Sequence, residues 1–146
     1  LHSKGSTIDI FPEAQKSPGA YSHLKTSSHL VYAMAAKFAR ANELDDCIVT
    51  NIYGRICDSS VANIFWVKEN KIFTPPLAEG PIAGVVRKFI LNNLPVEEKE
   101  GEISELESAD EIFLTNAVQN IQCVKRFRGR TYNNQITSEV CKVLFE

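Results

Sequence analysis

Hydrophobic residues along this chain follow two different periods, and the alternation predicts short strands separated by helices. Apolar runs that are rich in β-branched and aromatic residues and bounded by turn residues predict strands. These runs cover residues 7–11, 47–51, 55–57, 61–67, 71–74, 96–98, 111–115, 118–127 and 130–132. Turns at Tyr53-Gly54 and Lys68-Glu69-Asn70 predict hairpins, and Pro75-Pro76 stops further strand pairing. The pattern therefore predicts a β-meander over residues 47–74.

Apolar residues at helical spacing predict four helices among these strands. The first is expected to start at a cap on Ser27 or Ser28 and to end near Asn42. Its apolar face would consist of Leu30, Val31, Met34, Ala35, Phe38 and Ala39. The second, at residues 85–92, has an apolar stripe made of Val85, Val86, Phe89 and Ile90. The others are predicted at residues 102–109 and 137–145.

The composition is that of one globular domain. Of the 146 residues, 44% are hydrophobic and 23% are charged, which gives enough apolar material for a core. Residues 1–22 are polar and rich in turn residues, so we interpret them as a lead-in or interdomain segment and residues 23–146 as the folded domain. The formal net charge is -2 and the dense basic run at residues 125–130 is short. We therefore predict a solvated hairpin there, and no nucleic acid partner.

Cysteine and histidine spacing predicts neither a metal site nor a disulfide framework. The four cysteines form no CxxC pair, and the three histidines have no zinc-ligand spacing. No apolar run has the length of a membrane helix and no leader pattern precedes the fold, so we expect a reducing cytoplasm and no membrane partner. The chain begins at Leu1, and its one methionine, Met34, falls inside a predicted helix. A native translation start is therefore not visible.

Lys25 is the first residue with candidate chemistry. It follows a polar loop and directly precedes a predicted helix, a place from which its amine could face a cavity instead of water. A desolvated lysine has a lowered pKa and is partly a neutral, nucleophilic amine near neutral pH, as a Schiff base requires. On composition alone the alternative is a solvated lysine.

Asp58 is the second candidate, on a predicted turn that leaves a strand. A carboxylate there can face a pocket and accept a hydrogen bond from a pyridine nitrogen, which keeps the ring protonated as an electron sink. The alternative is an aspartate turn that caps its own backbone through Ser59 or Ser60.

Two further segments predict an anion site. The helix that begins at Gly84-Val85-Val86-Arg87 offers backbone donors and the positive end of a helix dipole to a phosphate. The segment Leu114-Thr115-Asn116-Ala117 ends a buried strand with a hydroxyl, an amide and small side chains, which could supply a second set of donors. In isolation this second segment favours an ordinary exit from a strand.

The chain resembles the class IV aminotransferases, which are pyridoxal phosphate enzymes of fold type IV, in five segments that occur in the same order. These are Leu24-Lys25-Thr26, Asp58 to Phe65, Thr74-Pro75-Pro76-Leu77, Gly84-Val85-Val86-Arg87 and Phe113 to Ala117. The likeness runs from about Ser22 onward. It implies an α+β fold, the larger C-terminal domain of the D-amino acid aminotransferase-like enzymes, with a β-rich, meander-like or barrel-like sheet and flanking helices.

The resemblance also implies roles for single residues. Lys25 would be the catalytic lysine that forms the aldimine with pyridoxal phosphate. Asp58 stands where the family usually has glutamate against the pyridine nitrogen. Because aspartate is shorter by about one methylene, a backbone shift or a bridging water would be needed, or the electron sink would be weaker.

The phosphate of the cofactor would lie between two of the segments. Val85 and Val86 would donate backbone N–H groups, Val86 at a position where the family often has threonine. Asn116 and Ala117 would close the other side. The loss of hydroxyl groups implies fewer phosphate contacts.

The reaction has two candidates within the family, which contains branched-chain and D-amino acid aminotransferases and 4-amino-4-deoxychorismate lyases. The pair Asn116-Ala117 and the run Ala62-Asn63-Ile64-Phe65-Trp66 are more similar to the lyases. A lyase would eliminate pyruvate and leave 4-aminobenzoate, driven by aromatisation of the ring. An aminotransferase would instead use Lys25 for a 1,3-proton shift on a small amino substrate.

The family's smaller N-terminal domain, which normally supplies a phosphate-binding arginine and one wall of the substrate pocket, is absent from these residues. The resemblance implies a homodimer with its site between domains when that domain is present. A non-catalytic relative or isolated binding domain is the alternative, and weak cofactor affinity is expected of this domain alone.

Overall fold

The computed structural model describes residues 5–145. Its strands are β1 Ser6–Ile10, β2 Asp46–Thr50, β3 Ile56–Ser59, β4 Asn63–Lys68, β5 Lys71–Thr74, β6 Val96–Glu98, β7 Glu111–Asn116, β8 Asn120–Phe127 and β9 Arg130–Thr131. Its helices are α1 Leu30–Ala41, α2 Val85–Asn93, α3 Ile103–Glu107 and α4 Gln135–Phe145, with a 3-10 turn at Leu77–Glu79. Each predicted strand and helix is therefore present, with ends that differ by a few residues.

The strands form one mixed sheet in the order β3-β2-β1-β8-β7-β4-β5-β6, with β9 paired to β8. The sheet curls into a half-barrel with flanking helices, as the resemblance implied. The hairpins β2–β3 and β4–β5 are antiparallel, as predicted. The meander predicted for residues 47–74 is wrong, because β3 and β4 are not adjacent in the sheet. Strand β1 is parallel to both of its neighbours.

Strand β1 also corrects the interpretation of residues 1–22 as a lead-in. Ile8 pairs with Asp46 of β2 and with Phe127 of β8, and it is 1% exposed. Residues 6–10 therefore belong to the interior of the sheet. The segment looked like a connection because its pairing partners lie far along the chain and leave no mark on its local pattern.

Both faces of the central strands are covered. In β4, Phe65 and Trp66 point to opposite faces, and both are fully buried. Phe65 stacks on Phe113 with ring centroids 4.9 Å apart, in the cluster covered by α2 and α4. Trp66 packs in a separate cluster with Ile64, Phe73 and Ile112. This double burial explains why β4 and β7 read as continuous apolar runs.

The buried faces of α1 and α2 differ in part from the prediction. In α1 the buried residues are Tyr32, Ala35 and Ala39, whereas the predicted core positions Leu30 and Met34 are exposed.

The predicted N-cap of α1 at Ser27 or Ser28 is wrong, whereas its predicted end near Asn42 is confirmed. His29 occupies the N-cap, and no side chain in the described part of the chain caps that end.

In α2, Val86 and Ile90 are buried, while Val85 and Phe89 are exposed. None of the helices within residues 5–145 is long and apolar enough to cross a membrane.

The basic run at residues 125–130 lies in the β8–β9 hairpin, as predicted. Arg128 and Gly129 adopt positive φ at its turn. The Arg128 guanidinium lies 2.6 Å from the Glu107 carboxylate, so part of the positive charge is neutralised within the chain.

Candidate functional site

One cavity of about 600 Å³ lies where the N-terminal ends of α1 and α2 meet the ends of β3 and β7. Each of the six residues predicted from the sequence lines it, namely Lys25, Asp58, Val85, Val86, Asn116 and Ala117. The fold therefore brings these distant segments to one place.

Asp58 lies inside β3, not on a turn, and is 2% exposed. Its Oδ2 accepts hydrogen bonds from the Tyr32 hydroxyl and from the backbone N–H of Ile82, both at 2.8 Å. Its Oδ1 accepts a bond of 2.8 Å from Nδ2 of Asn63. The alternative of a self-capping aspartate turn is wrong, because the turn at Ser60 is held by the carboxylate of Asp46.

The protonation of Asp58 is unusual for an aspartate. Burial raises its pKa from 3.8 to about 7, and the donors from Ile82, Tyr32 and Asn63 and the charge of Lys16 oppose that rise. The group can therefore hold or release a proton near neutral pH. A perturbed carboxyl group in a cavity is a common property of functional sites.

Tyr32 and Lys16 continue the hydrogen bonds behind Asp58. The Lys16 ammonium donates to the Tyr32 hydroxyl at 2.6 Å and to the Ser22 carbonyl at 2.8 Å. Burial lowers the pKa of Lys16, and burial together with the Asp58 charge raises the pKa of Tyr32 well above its ordinary range. Tyr32 therefore remains a neutral hydroxyl between a cation and a carboxylate.

The N-terminus of α2 faces the cavity with open backbone groups. Val85 and Val86 lie in the first turn, where a helix supplies no partner for its N–H groups. No side chain within residues 5–145 caps this end at Gly84. A Cβ at Gly84 would collide with Oδ1 of Asn63, so only glycine allows this close approach.

Thr115 and Asn116 form the opposite side of the cavity. Thr115 is 2% exposed, and its Oγ1 has no hydrogen-bond partner among the residues that the structure describes. It pairs with Asn63 across β4 and β7, and paired residues share one face of a sheet. The Asn116 Oδ1 accepts from the N–H groups of Val118 and Gln119, which leaves its amide nitrogen available.

Lys25 lies on the cavity wall but is exposed, in contrast to the expectation of an amine withdrawn from water. The loop before it is anchored at two points. The Ser22 carbonyl accepts from Lys16, and the His23 carbonyl accepts a 2.8 Å bond from the N–H of Ala83. The loop is therefore tied to the segment that leads into α2.

Sequence analysis missed Lys16 and Tyr32 and assigned no separate role to Asn63. Lys16 lies in the segment interpreted as a lead-in, and no local signal marks it. Tyr32 could have been found, because the hydroxyl of a tyrosine on a buried helix face needs a polar partner.

Comparisons with known proteins identify similar chains. The family profile for amino-transferase class IV matches residues 5–127. A probable branched-chain-amino-acid aminotransferase of Thermotoga maritima is 32% identical over 112 residues, 71% of this chain and 41% of that protein. An aminodeoxychorismate lyase of Bacillus subtilis is 30% identical over 142 residues, 92% of this chain and 47% of that protein.

A solved structure has the same fold. The crystal structure of the branched-chain aminotransferase of Thermoproteus uzoniensis, with norvaline, superposes with a TM-score of 0.88 at 26% identity. The alignment covers 99% of this chain and 51% of that one, and the chain spans less than half the length of the two relatives above. Because the family profile covers most of its residues, the chain belongs to the class IV aminotransferase family.

Proposed function

We propose that this chain is the pyridoxal phosphate-binding domain of a class IV enzyme, in which Lys25 is the catalytic lysine. The observation that carries the proposal is the cavity itself. It joins a buried carboxyl group, an uncapped helix N-terminus and a lysine, which match the ring nitrogen, the phosphate and the aldehyde of this cofactor. Enzymes of the family depend on pyridoxal phosphate, which supports the assignment.

The residues present fit the phosphate group. The N–H groups of Val85 and Val86 and the positive end of the α2 dipole favour an anion. The buried hydroxyl of Thr115 lacks a partner, and a phosphate oxygen would satisfy it. Asn116 and Ala117 would close the other side, with the free amide nitrogen of Asn116 as a donor.

Asp58 would hold the proton at the ring nitrogen. When bound, pyridoxal phosphate supplies an electron sink that stabilises negative charge at the carbon next to the substrate amine. With its pKa of about 7, Asp58 could hold that proton near neutral pH without net uptake of a proton from water.

We further propose that the reaction is the elimination catalysed by aminodeoxychorismate lyases. Lys25 would remove the proton from the substrate ring carbon that bears the amine and give a proton to the methylene carbon of the departing enolpyruvyl group. The C–O bond to the neighbouring ring carbon breaks, so that pyruvate leaves and 4-aminobenzoate remains. The lyase-like sequence at Asn116-Ala117 and at 62–66 supports this proposal. So does the Bacillus subtilis relative, which aligns over 92% of the chain.

Amino-group transfer by a branched-chain aminotransferase is the second candidate. The Thermotoga maritima relative, at 32% identity, is named as such an enzyme and supports it. Lys25 would then take up and return the proton of the substrate carbon that bears the amine. The two reactions require the same residues of this domain, so substrate contacts outside it would decide between them.

We also propose that a smaller N-terminal domain and a second subunit complete the site. Two apolar side chains on the cavity wall, Val61 and Val85, are 61% and 69% exposed. Lys25 is exposed beside them. A cover over this wall would remove apolar area from water and exclude water from the lysine.

The cofactor assignment is tested by incubating the chain with pyridoxal phosphate, reducing with borohydride and mapping the labelled peptide by mass spectrometry. We expect one pyridoxyl group on Lys25. The Lys25→Ala variant should lose it, whereas a Lys37→Ala control, at an exposed position on α1, should keep it. Absence of label, or label scattered over surface lysines, would contradict the assignment and favour a non-catalytic domain.

The reaction is tested by product analysis in the protein that carries both domains. A lyase forms pyruvate and 4-aminobenzoate from aminodeoxychorismate without an amino acceptor. An aminotransferase forms a keto acid only when an acceptor such as 2-oxoglutarate is supplied. Formation of the keto acid alone would refute the lyase proposal and leave the cofactor site intact.

A further inference from the structure

We propose that Lys16 and Tyr32 are positioning residues that oppose protonation of the Asp58 carboxylate and fix which of its oxygens faces the cavity. The proposal rests on the proposed function only where it assigns Asp58 to the ring nitrogen of a cofactor. The coupling between the three residues can be tested without that assignment.

The first step is that Lys16 is held in place from both sides. Its N–H donates to the Thr50 carbonyl at 2.9 Å, and its own carbonyl accepts from Ile52 at 3.0 Å. Its ammonium bonds the Ser22 carbonyl and the Tyr32 hydroxyl. A half-buried lysine with four such contacts has little freedom to turn toward solvent.

The hydrogen bond from Tyr32 to Asp58 has a fixed direction. A phenol has one proton, and its oxygen is already the acceptor for the Lys16 ammonium. The proton must therefore point to Oδ2 of Asp58, at 2.8 Å. The cation thus acts on the carboxylate through an oriented dipole, and a chain of charge-assisted bonds of this kind is stronger than its separate members.

The third step concerns the free acceptor position. Oδ2 takes two donors, from Tyr32 and Ile82, whereas Oδ1 takes one, from Asn63. Each carboxylate oxygen has two lone pairs. The position that remains for a donor in the cavity therefore belongs to Oδ1, and the bond from Tyr32 prevents the two oxygens from exchanging places.

The neighbouring charged groups show why Lys16 affects the ionisation of Asp58. Cys57 on the same strand and Tyr32 on α1 are neutral, because burial raises the pKa of both. Lys25 and His29 lie on the cavity wall and are exposed to solvent screening. Lys16 is thus the partly buried cation that opposes the desolvation of Asp58.

The test is the titration of the Asp58 side-chain carbon by NMR in the chain without cofactor, assigned by comparison with Asp58→Asn. Lys16→Met should raise the midpoint by about one pH unit, because it removes an opposite charge near the carboxylate. Lys16→Arg should restore it. Lys37→Met removes an exposed lysine of α1 and should leave the midpoint unchanged.

Tyr32→Phe provides a second, independent variant in case Lys16→Met fails to fold. It deletes one donor to Asp58 and should raise the midpoint in the same direction. A midpoint equal to that of the wild type in either folded variant would overturn the proposal.

The last measurement separates this proposal from the proposed function. The pH profile of pyridoxal phosphate affinity should shift upward in Lys16→Met by the same amount as the Asp58 midpoint. If the wild-type chain does not bind the cofactor, the proposed function fails, while the NMR titration still decides the coupling. If the midpoint moves and the affinity profile does not, Lys16 acts on Asp58 but has no role in positioning it for the ring.

Discussion

The substitution Asp58→Asn should make the free energy of unfolding less sensitive to pH. The folded state raises the pKa of Asp58 from 3.8 to about 7, so it holds a proton that the unfolded chain releases between those values. Stability from this group is therefore fully present below about pH 4 and is lost as the pH rises toward 7. Asparagine does not titrate, so the variant keeps the same contribution throughout.

The magnitude follows from the two pKa values. Between pH 5 and pH 8 the wild type should lose about 2.5 kcal/mol of unfolding free energy relative to the variant. Asparagine also replaces one carboxylate oxygen by an amide nitrogen, which cannot accept from Tyr32, Ile82 or Asn63. That loss should cost about 1–2 kcal/mol at every pH. Asp58→Asn should thus be the less stable protein at pH 5 and equal or more stable at pH 8.

Urea unfolding of both proteins at pH 5 and pH 8 measures this difference directly. Other ionisable groups are common to both proteins and cancel in the comparison, and Asp110→Asn, at an exposed aspartate, is the matched control. An unfolding free-energy difference between wild type and Asp58→Asn that is the same at both pH values would refute the argument. It would mean that Asp58 has the same pKa in the folded and unfolded states.

Two substitutions test the rest of the site, and a labelling experiment tests the burial of the cysteines. Gly84→Ala should displace the Asn63 amide from Asp58, because the added Cβ would collide with it. The variant should lose about 2 kcal/mol of unfolding free energy and bind pyridoxal phosphate more weakly. Full stability in urea would contradict this. Thr115→Val removes a buried hydroxyl that has no partner among the described residues, so it should stabilise the chain by about 1 kcal/mol. It should also weaken the affinity for pyridoxal phosphate. Unchanged affinity would exclude a contact between Thr115 and the phosphate group. The four cysteines are free and buried within the described residues, so a thiol reagent should label them only after unfolding, and fast labelling of the native chain would contradict this.

The strands and helices were predictable because their signals are local. The period of the apolar residues, the turn residues at Gly54 and Asn70 and the prolines at 75–76 indicated nearly every element. The position of β1 was not predictable in this way. Its partners Asp46 and Val124 are distant in sequence, and parallel pairing to both follows from packing that no short window contains.

The residues of the site likewise divide into those with a local sequence signal and those without one. Lys25, Asp58 and Val86 could be chosen in advance because each sits next to a local signal, a helix start or a strand end. Lys16 could not, because its importance arises from a hydrogen bond to a residue that the fold brings near. The exposed Leu30 was assigned to the core for the converse reason, since helical spacing alone does not say which apolar positions face the sheet.

The aspartate at position 58 allows a final prediction, because the resemblance implies that the family usually has glutamate there. If the site needs a longer reach, Asp58→Glu should bind pyridoxal phosphate more tightly. The structure favours the opposite result, since both carboxylate oxygens are held by Tyr32, Asn63 and Ile82 in a fully buried space. An added methylene there should cost about 1–3 kcal/mol of stability through overpacking and should break at least one of these bonds. Urea unfolding and cofactor titration measure both effects, and tighter binding with unchanged stability would show that the contacts around Asp58 are not specific for aspartate.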